Sequence, residues 1–285
     1  MLISFLHLFA QSQNRDPDTL HLDRYPGLYN IVVAINDSIR YNQHFNGTKD
    51  ADVFDDQSLT KSMGSLLIGI AIDKGLIPSL DTKLTRWFPQ LKNDPDKRKQ
   101  EITLRQVMNQ ASGLRHEDLG KPNGIGEYLA HEDLAGYVLN APLVSAPGAV
   151  FHYNNAATHL LGIILTKSSG MDLMSFAKKN LLAQLDIVAV EWQKTRDGYY
   201  DLAGLENIRL RTADWIKIGS LLLHEGRYHQ KQIVPAKWII VVPGLQMVLA
   251  INQSKEDQNA IRRAGRFMQS VFPAFFDAVT RNQNL

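Results

Sequence analysis

An α+β fold is what this sequence predicts, on three observations. β-forming segments stand near the start (YNIVVAIND and SIRYNQHFNG) and again near the end (IIVVP and QMVLAIN), and the long stretch between them carries apolar residues at helical spacing. Strands gathered from both chain ends form an antiparallel sheet flanked by helices, with a large helical insertion between them. The predicted organisation is a single domain over residues 16–285, with a sheet lobe at about 20–55 and 239–285 and a helical lobe at about 56–238, preceded by a signal-like segment at 1–15.

That first segment, MLISFLHLFAQSQ, is a short apolar run ending in a small residue, without a basic leader. It is too short to cross a bilayer, so no transmembrane span is expected. It reads as the remnant of an export signal, a displaced start site or a short first helix. Periplasmic or secreted localisation is the expectation it supports, with cytoplasmic as the alternative.

The first two strands meet at Asn36-Asp37, a pair suited to a tight hairpin turn. QSLTKSMGSLLIGIAIDKGLI then reads as a buried helix, with Met63, Leu66, Leu67, Ile70 and Ile72 near helical spacing and Gly75 as its left-handed cap. In ITLRQVMNQASG, Thr103 and Gln106 have capping-box spacing, and Gly113 is the expected terminator. AATHLLGIILTKSSG is a further apolar helix closed by Gly170, and MDLMSFAKKNLLAQL is an amphipathic one. RTADWIKIGSLLLHEG takes Thr212 as its N-cap. The tail AIRRAGRFMQSVFPAFFDAVT has a helical stripe interrupted by Pro273.

Chemistry concentrates at Ser58-Leu59-Thr60-Lys61. Residues three apart share a helix face, so the Lys61 amine is within reach of the Ser58 hydroxyl and can act as its base. Unpaired N–H groups and the positive end of the helix dipole favour negative charge at Ser58. Ser and Lys are common, and Ser175 and Lys178 repeat the spacing, but inside an amphipathic helix that offers no activating context.

Tyr153 and Asn155, in the chain's single Y-x-N, enter the AATHLLGIIL helix. A phenol beside a lysine can shuttle protons, and an amide can hold both the lysine and a substrate carbonyl. Taken alone, Tyr153 reads equally well as an interfacial tyrosine with a satisfied hydroxyl.

Together these segments resemble the penicillin-recognising serine hydrolases, in the branch that holds class C beta-lactamases, DD-peptidases, esterases and 6-aminohexanoate-dimer hydrolase. The likeness runs through QSLTKSMGSLLIGIAIDKGLIPSLDTKLTRWFPQL, ITLRQVMNQASGL, APGAVFHYNNAATHLLGIIL and HEGRYHQKQIVPAKW, over about residues 25–250. The resemblance implies a beta-lactamase/DD-peptidase-like fold and a serine hydrolase that cleaves an amide, ester or beta-lactam bond. It implies Ser58 as nucleophile, Lys61 as its base, Tyr153 as proton carrier to the leaving group and Asn155 as a substrate-binding residue.

One family element is missing. Relatives carry a third motif, H-x-G or K-[ST]-G, on an edge strand that supplies the second oxyanion-hole donor. Here IVPAKW runs almost directly into IIVVPGLQMVLAIN. His224-Glu225-Gly226 matches H-x-G in letters but follows a helix, where a capping glycine is expected. The alternative function is therefore a catalytically impaired or inactive relative: a ligand-binding pseudoenzyme or an internally deleted product.

Other functional classes are unsupported. The chain has 31 basic and 29 acidic residues and no cysteine, which excludes disulfides and thiolate metal sites. Its nine histidines lack metal-ligand spacing, and no phosphate loop, dinucleotide fingerprint or G-x-S-x-G elbow occurs. No metal or cofactor is expected, and the implied partner is a small-molecule or peptide-like acyl substrate. Lys97-Arg98-Lys99 follows Asp94 and Asp96 in a polar loop, and with Arg262-Arg263 on the tail it makes no nucleic-acid surface. His116, Glu117, Asp118 and Trp192 are weaker candidates for lining the pocket, Trp192 more as a loop anchor. Oligomeric state is open.

Overall fold

A computed structural model describes residues 21–25, 27–115, 124–205, 208–235 and 247–253. The signal-like segment, His116, Glu117 and Asp118, the strand expected at 239–243 and the tail helix lie outside the described residues.

Compact packing divides the chain into two units, one within Met1–Asp52, Arg211–Ser220 and Pro243–Leu285, the other within Val53–Leu210 and Leu221–Val242. In the first unit, β1 (Leu28–Ile35) pairs antiparallel with β2 (Ser38–His44) on one side and β8 (Met247–Gln253) on the other. A sheet from both chain ends is thus present. Asn36 and Asp37 have φ of 49° and 60°, the left-handed pair of a two-residue turn whose twist matches its strands.

Alternation holds less well than the pattern suggests. Ile31, Val32, Val33, Ala34 and Ile35 are consecutive and all buried, so β1 is covered on both faces, while β2 stays largely exposed. Val32 and Ala34, two apart and on one face, pack against Ile216 of helix α7 (Thr212–Leu223). Thr212 does not cap α7 by its side chain: the helix already includes it, and its buried hydroxyl has no hydrogen-bond partner.

The second unit is mainly helical. Helix α1 (Leu59–Asp73) is buried nearly all round and ends where Leu76 N–H donates to the Ala71 carbonyl and Gly75, at φ 70°, to that of Ile72, the two bonds of a Schellman cap. Helix α2 (Leu104–Met108) has the full Thr103–Gln106 capping box. It stops at Asn109, short of Gly113, whose φ of 73° serves a different purpose: a Cβ there would lie 2.4 Å from the Ser145 carbonyl oxygen.

After α3 (Gly124–Leu129) and α4 (Leu134–Leu139) comes α5 (Asn155–Ser169), capped by the Asn154 side chain, closed by Gly170 at φ 67° and packed against α1. The stretch read as one amphipathic helix splits into α6 (Leu173–Ala177), a π turn at Lys178–Leu182 and a 3-10 turn at Ala183–Leu185. A small sheet not foreseen from sequence joins β3 (Phe54–Asp55), β5 (Ile208–Leu210) and β4 (Glu191–Trp192), with β5 in the centre.

His224-Glu225-Gly226 closes α7. Glu225 and Gly226 are both left-handed, Gly226 N–H donates to the Leu221 carbonyl, and the chain turns into the hairpin of β6 (Arg227–Tyr228) and β7 (Lys231–Gln232). A Cβ at Gly226 would fall 1.8 Å from the Val234 carbonyl oxygen. This glycine therefore makes a turn, in the role expected of a cap. Among the described residues β8 pairs with β1 alone, and no helix is long and apolar enough to cross a membrane.

The basic triplet is neutralised locally. Arg98 pairs with Asp96, while the Lys99 ammonium is buried against Asp94 at 2.7 Å and the Leu139 carbonyl at 2.8 Å.

Replacing Thr103 by Ala removes one of the two reciprocal bonds at the start of α2. The variant should lose about 1 kcal/mol in urea denaturation, and Thr103→Ser should lose much less.

Candidate active site

Gln57 creates the entry to the site. It is held at φ 43°, a left-handed conformation uncommon for a residue with a side chain, and its carbonyl accepts from the Thr60 amide and hydroxyl. Ser58 follows in helical geometry as the N-cap of α1, but its hydroxyl makes no capping bond. The oxygen is instead 2.7 Å from Tyr153 Oη and accepts from Lys61 Nζ at 3.3 Å.

Lys61 is the meeting point. Besides Ser58, its ammonium donates to Asn155 Oδ1 at 2.7 Å and to the Ala203 carbonyl, so three acceptors meet its three N–H groups. It also stands 4.8 Å from the centroid of the Tyr153 ring, within cation–π range. Ser58, Lys61, Tyr153 and Asn155 are thus brought together within the second unit, Asn155 buried and Tyr153 41% exposed.

Tyr153 is aimed by its backbone. On its two sides, the His152 and Asn154 amides donate to the carbonyl and side-chain oxygen of Gln110, each at 2.7 Å, and Gln110 Nε2 donates to Thr158 Oγ1 at 2.9 Å. Asn154 caps α5 by accepting from Ala157 N–H at 2.7 Å and donates to the Leu114 carbonyl at 3.0 Å. Asn155 is then the first residue of α5, its side chain directed at Lys61.

The second S-x-x-K has no such surroundings. Ser175 lies in the first turn of α6 rather than mid-helix, but Asp172 takes both its amide, at 2.9 Å, and its hydroxyl, at 2.6 Å. A carboxylate beside the hydroxyl opposes the negative charge a nucleophile must develop. Trp192 is a loop anchor: it is buried, and its indole N–H donates to the Asp201 carbonyl at 2.9 Å.

Sequence reading missed the turn at 201–205. Gly204, at φ 82°, lies so close to the Gln57–Ser58 peptide that a Cβ would be 2.2 Å from Gln57 O and 2.9 Å from Ser58 N. Asp201 holds the turn by accepting from Ala203 N–H at 2.9 Å and Leu205 N–H at 2.8 Å. Asp201 in turn faces His159 of α5, whose ring lies between Asp201 Oδ1, at 3.1 Å, and Asp197 Oδ2, at 2.8 Å. A histidine inside the apolar run AATHLLGIIL was the one sequence sign of this cluster.

Burial works against a charge on His159, but its hydrogen bonds to Asp197 and Asp201 outweigh that and push its pKa up to about 9. Burial would raise both carboxyls, yet the imidazole beside them holds each below the ordinary aspartate value. Among the described residues no three or more ligating side chains are arranged to hold a metal ion.

Comparison with known proteins is consistent in direction. The beta-lactamase family model matches residues 21–216. "Beta-lactamase-like protein 4" of Dictyostelium discoideum is 35% identical over 121 residues, 41% of this chain and 21% of that protein, so the match spans about a fifth of the relative's length. A Bacillus anthracis protein assigned as a 6-aminohexanoate-dimer hydrolase superposes with a TM-score of 0.73 at 19% identity, covering 96% of this chain and 85% of that one. One from Bacteroides dorei assigned as a beta-lactamase gives 0.65 at 22%, covering 82% and 73%. At these identities the superpositions speak for the beta-lactamase/DD-peptidase fold alone.

Two outcomes follow from this geometry. Gly204→Ala puts a side chain into the Gln57–Ser58 peptide and should destabilise the protein by about 1–3 kcal/mol in urea denaturation. Stability from the charged His159 ring is full below its unfolded pKa of about 6.5 and is lost as pH rises through about 9. The urea midpoint should therefore fall between these values, and the difference between wild type and His159→Gln, which leaves Asp197 and Asp201 without a titrating partner, should shrink over the same range.

Proposed function

The chain belongs to the beta-lactamase family over residues 21–216, and from that membership we propose that it is a serine hydrolase cleaving an amide, ester or beta-lactam bond through an acyl-enzyme at Ser58. The observation that carries this reading is the hydroxyl of Ser58, unused as a helix cap and flanked by Tyr153 Oη at 2.7 Å and Lys61 Nζ at 3.3 Å.

In the proposed reaction Ser58 Oγ attacks the acyl carbonyl carbon and its proton passes to Tyr153, the nearer of the two groups. Lys61 remains a cation, held by Asn155 and Ala203, and favours negative charge on both the phenol and the attacking oxygen. The carbonyl oxygen gathers negative charge near the Ser58 N–H at the start of α1. Tyr153 returns the proton to the leaving amine or alkoxide as the bond to carbon breaks, and water then releases the acyl group by the same route. Among the possible substrates, small-molecule and peptide-like acyl compounds suit this chemistry.

A second reading has its own support: no H-x-G or K-[ST]-G strand follows IVPAKW. Loss of one oxyanion donor typically lowers turnover about a hundred- to a thousandfold, which would leave an impaired enzyme or a binding protein.

A fluorescent fluorophosphonate should label wild type and spare Ser58→Ala, and Tyr153→Phe should slow labelling by about 10²- to 10⁴-fold. Turnover of a chromogenic ester then separates the readings: labelling with turnover supports the hydrolase, and labelling without it supports the impaired form. A wild type that takes no label overturns Ser58 as nucleophile.

A further inference from the structure

The buried cluster behind Lys61 is not needed to hold α5 and α1 together, since their contact is apolar along most of its length. We infer that His159, clamped between Asp197 and Asp201, is a positioning residue for the nucleophile: it fixes the 201–205 turn that presents a carbonyl to Lys61 and a glycine to the Ser58 peptide. This rests on the reading of Ser58 as nucleophile.

Placement comes first. His159 follows Asn155 by four residues on α5, one turn along the same face, so one helix supplies both a direct ligand of Lys61 and the support of the turn opposite. His159 has no exposed surface and Asp201 has 1%. Each ring nitrogen meets a carboxylate oxygen, and ionised carboxylates can only accept. Both contacts are satisfied together when the ring carries both protons, making it a buried cation between two anions.

The connection to the nucleophile runs through Asp201. Its two oxygens take the amides of Ala203 and Leu205, one on each side of Gly204. Its carbonyl is tied to Trp192, and Leu202 packs on α1 at Gly64, where a Cβ would lie 3.1 Å from the leucine methyls. His159 fixes the direction of that carboxylate. If it swings, the Ala203 carbonyl leaves the Lys61 ammonium, and Gly204 shifts against the peptide that carries Ser58 N–H. Asp197 touches the turn only through the ring and through Thr195, whose hydroxyl donates to it at 2.7 Å.

The test compares His159→Gln, Asp201→Asn and Asp197→Asn in the full chain, with folding checked by circular dichroism and urea denaturation. Fluorophosphonate labelling is resolved into its limiting rate constant and half-saturating concentration. His159→Gln and Asp201→Asn should lower the limiting rate constant by about 10- to 100-fold with half-saturation little changed, and Asp197→Asn should lower it less. A purely structural role would reduce the labelled fraction and leave that rate constant at the wild-type value, which would overturn the inference; so would misfolding of all three variants. A crystal structure of His159→Gln decides the matter independently of activity. Ala203 O still on Lys61 Nζ overturns the inference, and its displacement supports it even if the wild type takes no label, a result that would sink the nucleophile reading alone.

Discussion

One ammonium group ties this site together. Lys61 belongs to α1, yet its three N–H groups end on Ser58 of its own helix, on Asn155 at the start of α5 and on the carbonyl of Ala203 in a turn 142 residues away. Three chain segments converge on a charge that buried surroundings would otherwise disfavour. Each acceptor compensates part of that cost, so the position of the amine and the positions of the three segments define one another. The Ser58 hydroxyl is left facing Tyr153 because the lysine and the left-handed Gln57 together hold it out of its capping role.

Around this hub the secondary structure is locally consistent. The Schellman cap of α1, the capping box of α2, the Asn154 cap and Gly170 terminus of α5 each satisfy orphan backbone groups within a few residues. Such devices define where a helix begins and therefore where its first residues point. Asn155 reaches Lys61 because Asn154, one residue earlier, has fixed the start of α5. Gln110 does the same for the approach of Tyr153 by taking the amides on either side of it.

A second buried charge stands behind the first. The His159 ring between Asp197 and Asp201 is costly to bury and is compensated by partners on both sides, much as Lys61 is. Both clusters share the 201–205 turn: Asp201 holds its amides and Lys61 holds one of its carbonyls. Gly204 makes the sharing geometrically feasible, because only a residue without a side chain fits against the Gln57–Ser58 peptide.

What was legible in the sequence was short-range. The Asn36-Asp37 hairpin, the Thr103–Gln106 box, the glycine ends of the two apolar helices and the turn role of Gly226 depend on residues at most a few positions apart, where propensity and spacing carry the information. Ser58 with Lys61 was readable for the same reason, being one helical turn. Tyr153 and Asn155 could be marked as a motif but could be joined to Ser58 only through family resemblance. The tertiary structure alone decided the β3–β5–β4 sheet, the close approach of Gly204, the division of the stretch around Ser175 and the partners of His159. Strands of two or three residues have too little pattern to announce themselves, and ion pairs formed across about 40 residues leave no periodic trace. Such pairings exist only after the chain has packed, since burial is what makes an unpartnered charge costly enough to select one arrangement.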